Sequence, residues 1–93
     1  MKHELKVWPQ FFPGLVDRSK TFEIRKNDRD FKVGDEILLK EWDPKKEDYT
    51  GYVVHAFISY ISTAESFQGV TEHPILHPDY VVLGLRPSYT PKD

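Results

Sequence analysis

The segment KTFEIRKNDRDF, residues 20–31, contains the side chains whose types and spacing could do chemistry. Glu23 and Arg25 lie two residues apart in a stretch that alternates polar and apolar, so on a β-strand both side chains leave the same face. Lys20 precedes them by a turn and can fold over that face. These three residues could form a structural ion network on a solvated edge, where a salt bridge contributes only about 0–1 kcal/mol. They could equally line a recess, where a lower dielectric strengthens every charge interaction.

In a recess, each of the three side chains has a chemical use. Arg25 can bind a phosphate or a base edge through two parallel donors. Glu23 can accept a hydrogen bond from an exocyclic amine, as carboxylates do with N4 of cytosine. Lys20 can contact a phosphate, and it can act as a base or nucleophile if burial beside Arg25 favours the neutral amine. The residue types are therefore compatible with a nucleotide site.

Other residues could complete the same cleft. The turn-rich KNDRD segment favours an Asx turn, and within it Arg29 is the best candidate for a phosphate contact. Strand-forming segments elsewhere in the chain supply the remaining candidates, which are His3, Lys6 and the stacking candidate Tyr60.

The charge distribution supports a small anionic ligand rather than a long polyanion. The chain of 93 residues has a formal net charge of −2. Residues 18–32 nevertheless contain six basic and three acidic side chains. A local basic face on an acidic body suits contact with a few phosphates, although a mixed surface can also cluster in this way.

Several function classes lack their sequence signals. The chain has no cysteine, no apolar run of membrane-spanning length and no signal-peptide h-region, so we expect a cytoplasmic protein. No glycine-rich phosphate-binding motif or GxSxG nucleophile motif occurs, and we expect no cofactor. His73 and His77 have i,i+4 spacing, but Pro74 and Pro78 oppose a helix there, so we expect no metal site.

The hydrophobic pattern predicts an α+β fold that is mainly β, a small, partly closed barrel of five to six strands with one or two short helices. We expect Leu5 and Val7 of the first strand to face the core, and likewise Phe22 and Ile24 of TFEIR. A short, broken helix is expected between residues 9 and 16, and most aromatic residues are expected in the core. Residues 43–51 should form a hairpin connection, and residues 1–93 a single domain with an irregular tail at 86–93.

The segment SKTFEIRKNDRDFKVGDEILLKEWDP is similar to the central motif of ASCH domains, a branch of the PUA-like β-barrel superfamily. The family pattern G-x-K-T-x-E-x-R is matched at Lys20, Thr21, Glu23 and Arg25, and the following V-G-D at residues 33–35. From His3 to Leu85 the chain resembles a subfamily of small bacterial and phage proteins with HELK, KTFEIRKNDRDF, WDP, YTG and YVVLGL. One departure is Arg18, which stands where the pattern has glycine.

The resemblance implies binding of RNA or a modified nucleotide in a cleft beside this motif. It also implies an alternative, because some small ASCH proteins look like amidohydrolases acting on N4-acetylcytidine, and others are ribonucleases. The hydrolases carry a lysine at the position of Lys20, a threonine at that of Glu23 and a later glutamate, for which Glu65 and Glu72 are candidates. If the protein is an enzyme, Lys20 and Glu23 are the expected catalytic residues. A protein partner is a third alternative, and we expect a monomer that does not bind membranes.

Overall fold

A computed structural model describes residues 1–88. The chain runs through five strands, one short α-helix and one 3₁₀ turn. The elements, in chain order, are β1 Lys2–Val7, α1 Phe12–Val16, β2 Phe22–Lys26, β3 Glu36–Asp43, β4 Asp48–Thr63, the 3₁₀ turn Ala64–Phe67 and β5 Tyr80–Pro87. The predicted α+β, mainly β class is confirmed.

The strands form one curled half-barrel sheet in the order β1-β3-β4-β5-β2. β1 pairs with β3 in parallel, and the other neighbours are antiparallel. β1 and β2 are therefore the two edge strands, so closure of the barrel between them cannot rely on the hydrogen-bond ladder that joins the other strands.

Alternation in β1 orients its side chains as the sequence predicts. His3, Leu5 and Val7 are buried, while the residues between them are exposed. The core is mainly aliphatic and comprises Leu5, Val7, Phe12, Leu15, Ile37, Leu39, Ala56, Ile58, Val81 and Leu83. Each strand except β2 contributes apolar side chains to it.

β2 is oriented the opposite way to the prediction. Phe22 and Ile24 are 42% and 51% exposed, whereas Glu23 is 4% exposed. The register with β5 explains this, because Glu23 pairs with the fully buried Leu83 and therefore shares its face. The charged side of β2 thus faces the interior and the apolar side faces outward.

The prediction that most aromatic residues lie in the core is also wrong. Among the aromatic side chains of residues 1–88, only Phe12 is buried in the core. Phe31 is partly buried and packs against the core. Trp8, Phe11 and Tyr60 are at least half exposed. The aliphatic residues of the central strands fill the interior, so large rings remain at its margins.

Two boundaries differ from the predictions. β3 and β4 pair as far as Asp43 and Asp48, so residue 43 and residues 48–51 belong to strands rather than to the hairpin connection. β5 continues to Pro87, which pairs with Ala56, so the segment predicted as an irregular tail is still a strand at residues 86–87. Residues 89–93 of that predicted tail lie outside the described part of the chain.

None of the helices within residues 1–88 has the length and hydrophobicity needed to cross a membrane.

Candidate functional site

The gap between the edge strands β1 and β2 is bridged by arginine side chains. Arg25 Nη2 donates a hydrogen bond to the backbone carbonyl of Lys6. Arg29 Nη1 donates to the carbonyl of Glu4 over 2.9 Å. Two guanidinium groups thus donate hydrogen bonds to carbonyls on the free edge of β1, the edge opposite to β3. On a closed barrel, the backbone amides of a neighbouring strand would bond to these carbonyls.

A cavity of about 740 Å³ lies at this junction, and we call it the seam cleft. Its wall comes from the end of β1, from the segment before α1, from β2 and from the start of β5. The lining residues are Lys6, Val7, Trp8, Phe11, Lys20, Phe22, Glu23, Ile24, Arg25, Lys26 and Tyr80. The sequence-predicted residues Lys6, Lys20, Glu23 and Arg25 are therefore brought together.

Glu23 is the centre of the charged wall. Its Oε1 accepts from Lys20 Nζ over 2.7 Å, and its Oε2 accepts from Arg25 Nε over 2.9 Å. The Lys20 and Arg25 side chains each remain about one-quarter exposed, at 26% and 25%. A buried carboxylate is tolerated only when it is paired, and here the pairing also fixes both cations at the cleft surface.

The turn after α1 positions Lys20. The Lys20 amide donates to the Gly14 carbonyl over 2.9 Å, which brings the turn back onto the helix. A Cβ on Gly14 would lie 3.1 Å from Lys20 Cβ, so the small residue allows this approach. Arg18 has φ +66°, a conformation that favours glycine, and it occupies the position where the motif described above carries glycine.

Exposed aromatic rings form the rest of the cleft. The exposed fractions of Trp8, Phe11, Phe22 and Tyr80 are 50%, 51%, 42% and 42%. Lys20 Nζ lies 5.1 Å from the centroid of the Phe11 ring and 5.6 Å from that of Phe22. These distances are within the range of cation–π attraction.

Sequence reasoning missed these rings because it assigned aromatic residues to the core. The alternation in β1 contained a usable signal for Trp8. Since Leu5 and Val7 face inward, Lys6 and Trp8 are in the outward phase. The position of Phe22 could not be found in this way, because alternation in β2 does not say which phase is buried.

Three other predicted binding residues do not line the seam cleft. His3 is 4% exposed, its Nε2 lies 2.8 Å from Asp35 Oδ2, and its ring packs against Phe31. Arg29 is at the seam but is bonded to the Glu4 carbonyl. Tyr60 is 69% exposed and lines neither this cleft nor the second cavity described below.

The His3–Asp35 pair supports the fold rather than the cleft. The hydrogen bond from His3 lowers the pKa of Asp35 to about 2, although burial opposes this shift. The backbone amide of Lys32 also donates to Asp35 over 3.0 Å. The pair therefore links β1 to the turn that precedes β3.

The remaining candidate residues stay apart from the cleft. Glu65 and Glu72, considered as later catalytic acids, are exposed and do not line it. His73 and His77 are also exposed, and within residues 1–88 no group of three or more histidine or acidic side chains is arranged to hold a metal ion.

A second cavity of about 540 Å³ lies between α1 and β4. Its wall is largely apolar and includes Leu15, Val16, Tyr52 and Val53. Lys20 lines both cavities. Arg18 also lines this second cavity, but Glu23, Arg25 and the exposed rings of the seam cleft do not.

The seam cleft can bind an anion next to a planar apolar group. Lys20 and Arg25 supply positive charge, and the four rings supply flat surfaces for stacking. Both oxygens of Glu23 are bonded to these cations, so Glu23 acts as their anchor in this arrangement.

Comparison with known proteins places these features in a family context. The family model described as "Domain of unknown function (DUF3850)" matches residues 2–85. A curated relative, the "Uncharacterized 12.9 kDa protein in GpA 3'region" of Escherichia phage P2, is 29% identical over 75 residues. That alignment covers 81% of this chain and 65% of the phage protein, so the chain spans less than two thirds of the relative's length.

Proposed function

This chain belongs to the DUF3850 family, and from that premise we propose that its seam cleft binds RNA or a modified nucleotide. The observation that carries it is the position of the Lys20 ammonium, which is held by the buried Glu23 and lies beside the rings of Phe11 and Phe22. A phosphate and an unstacked base need this combination of charge and aromatic surface.

The exposure of the rings supports the same proposal. Burial of aromatic surface is a large source of stability in a small domain, yet Trp8, Phe11, Phe22 and Tyr80 leave about half of their surface exposed around one cleft. Exposed apolar surface grouped around cations is typical of a binding site rather than of a structural ion network.

The resemblance to ASCH and PUA-like domains adds a further argument. Their pattern has glycine where this chain has Arg18, and Arg18 adopts the left-handed conformation that glycine adopts most easily. The backbone of the turn is thus compatible with the ASCH pattern despite the substitution, and that pattern is associated with RNA binding.

The hydrolytic alternative receives less support from the geometry. An amidohydrolase or ribonuclease on this motif would use Lys20 and Glu23 as separate catalytic groups, whereas here they bind each other over 2.7 Å. The other acid candidates, Glu65 and Glu72, do not line the cleft. We therefore propose a binding module rather than an enzyme.

Direct binding measurements test the proposal. Isothermal titration with a single-stranded RNA hexamer and with cytidine 5′-monophosphate should detect binding of at least one of them, and the affinity should fall as salt is raised. Phe11→Ala should weaken binding by about 5-fold or more, because a stacked base contributes about 1–3 kcal/mol. Tyr60→Ala is the matched control, an exposed aromatic residue outside the cleft, and should bind like the wild type.

Two results would overturn the proposal. If neither ligand binds, the cleft is not a nucleotide site, and a protein partner becomes the favoured alternative. Release of cytidine or acetate from N4-acetylcytidine, or cleavage of the hexamer, detected by mass spectrometry and abolished by Lys20→Ala, would show an enzyme instead.

A further inference from the structure

A second group of cations and rings lies next to the seam cleft, on the outward face of β1, β3 and β4. It consists of Lys6, Lys40, Trp42 and Tyr49, and we call it the outer-face patch. Lys6 is the register partner of Lys40, and Trp42 is the register partner of Tyr49. The three strands thus bring Lys6 onto one surface with three residues that are distant from it in sequence.

The patch is held together by cation–aromatic contacts. Lys6 Nζ lies 3.8 Å from the centroid of a Trp42 ring and 5.8 Å from that of Tyr49, and Lys40 Nζ lies 5.4 Å from Tyr49. The two rings meet edge to face at 5.0 Å. Tyr49 is 44% exposed, so part of its ring is open to a ligand.

The charges of the patch are only partly neutralised. Like charges on directly paired strand positions are unfavourable, and Lys6 and Lys40 are such a pair. Lys40 is compensated by Glu4, whose Oε1 is 3.3 Å from Lys40 Nζ. Among the residues that the structure describes, no carboxylate lies within 4.0 Å of the Lys6 ammonium. An anion at Lys6 would therefore reduce the repulsion.

Lys6 also belongs to the seam cleft. It lines the cleft, and its carbonyl accepts the hydrogen bond from Arg25. The side chain therefore connects the aromatic wall of the cleft with the aromatic pair of the patch. A phosphate bound at Lys6 could carry one nucleoside on each side.

We propose that the seam cleft and the outer-face patch form one continuous site for single-stranded nucleic acid at least two nucleotides long. Lys6 contacts the phosphate between a base in the cleft and a base stacked on Tyr49. This inference rests on the proposed function. It restricts the preferred ligand to single strands of two or more nucleotides, because the patch contributes contacts only to a ligand longer than one nucleotide.

The two tryptophans of the chain allow each half of the site to be observed separately. Trp8 lies in the cleft and Trp42 in the patch, so Trp42→Phe leaves a reporter of the cleft and Trp8→Phe a reporter of the patch. Phenylalanine keeps an aromatic ring at each position. Each variant is titrated with cytidine 5′-monophosphate and with a single-stranded RNA hexamer, and tryptophan fluorescence is followed.

We expect the mononucleotide to quench Trp8 alone and the hexamer to quench both tryptophans. Tyr49→Ala should weaken hexamer binding by about 5- to 150-fold, the range that corresponds to 1–3 kcal/mol for one stacked base, and should leave mononucleotide binding unchanged. Tyr52→Ala, an exposed tyrosine of the same strand outside the patch, is the control and should change neither affinity.

The two proposals fail in different ways. If the hexamer quenches Trp8 but leaves Trp42 unchanged, and Tyr49→Ala binds it as the wild type does, the continuous site is wrong and the proposed function stands. If neither ligand quenches Trp8, the proposed function is wrong, and this inference is wrong with it.

Discussion

Glu23 Oε2 accepts a hydrogen bond from Arg25 Nε over 2.9 Å, and both side chains lie on the inward face of β2. The other carboxylate oxygen accepts from Lys20. Removing a carboxylate from water is costly unless each oxygen finds a donor, and two cations provide those donors here. The same contacts hold both cations at the wall of the seam cleft, so fold stability and the proposed binding site depend on one residue.

Neutralising this carboxylate should destabilise the protein. Glu23→Gln keeps the shape but leaves Lys20 and Arg25 without their counter-charge. We expect a loss of about 2–4 kcal/mol in the free energy of unfolding, below the upper range for fully buried pairs because both cations are partly exposed. Urea denaturation measures it. Asp28→Asn, which removes an exposed carboxylate 4.0 Å from Arg29 Nε, should stay within about 0.5 kcal/mol of the wild type. Equal stability of both variants would contradict a stabilising role for Glu23.

The seam between β1 and β2 can be weakened without removing charge. Arg25→Lys retains a cation for Glu23 but cannot also donate to the Lys6 carbonyl as the guanidinium does. We expect a loss of about 0.5–1.5 kcal/mol and faster amide hydrogen exchange in β1, measured by NMR. Arg86→Lys, at an exposed arginine of β5, should leave the exchange of β1 unchanged. Unaltered exchange in both variants would show that the arginine bridge does not stabilise the seam.

The backbone at Arg18 predicts a stabilising substitution. Its φ of +66° is unfavourable for a residue with a side chain, and glycine adopts it freely. We expect Arg18→Gly to raise the free energy of unfolding by about 0.5–1 kcal/mol. Arg18→Ala removes the same long side chain but keeps the strained Cβ, so it separates backbone strain from lost side-chain contacts. Thermal denaturation should rank Arg18→Gly above Arg18→Ala, and the reverse order would contradict the strain argument.

The Asp35 carboxylate should make stability depend on acid pH. Its pKa is about 2 in the folded protein against 3.8 ordinarily, chiefly because of the hydrogen bond from His3. Because the pKa of Asp35 is lower in the folded protein than in the unfolded chain, its carboxylate stabilises the fold at any pH above the unfolded value. This contribution is therefore present above about pH 4 and is lost as the pH falls towards 2. Chemical denaturation across that interval should show the loss, and Asp35→Asn should lessen it.

Two controls accompany the acid titration. Asp30→Asn, at a side chain that is 78% exposed, should retain the wild-type dependence on pH. His3→Leu should move the NMR-detected pKa of Asp35 upward, towards 3.8, because it removes the hydrogen bond that is the main cause of the lowered pKa. An Asp35 pKa that stays near 2 in His3→Leu would assign the shift to the other donors around the carboxylate.

Much of the fold follows from local sequence. The alternation of β1 identified Leu5 and Val7 as inward-facing, and the mainly β class followed from short, β-branched and aromatic segments separated by turns. The grouping of Glu23 with Arg25 also followed locally, because residues two apart on a strand share a face whatever the rest of the chain does.

The orientation of β2 was decided by tertiary structure. Alternation places Phe22 and Ile24 on one face of the strand and Glu23 and Arg25 on the other, but it does not say which face is buried. Pairing with β5 decides this by placing Glu23 beside Leu83, and Lys20 and Arg25 make the burial of the carboxylate possible. The predicted apolar core face of this strand became part of an exposed cleft wall.

The chain by itself determined which residues form strands and which side chains share a face, because those properties depend on neighbours in sequence. The strand order β1-β3-β4-β5-β2 determined where those faces meet. That order places β1 and β2 at the two edges of the curled sheet, where Arg25 bonds to Lys6 across the seam and Trp8 and Phe22 line one cleft. Contacts between distant segments depend on sheet pairing and core packing, which no local pattern encodes.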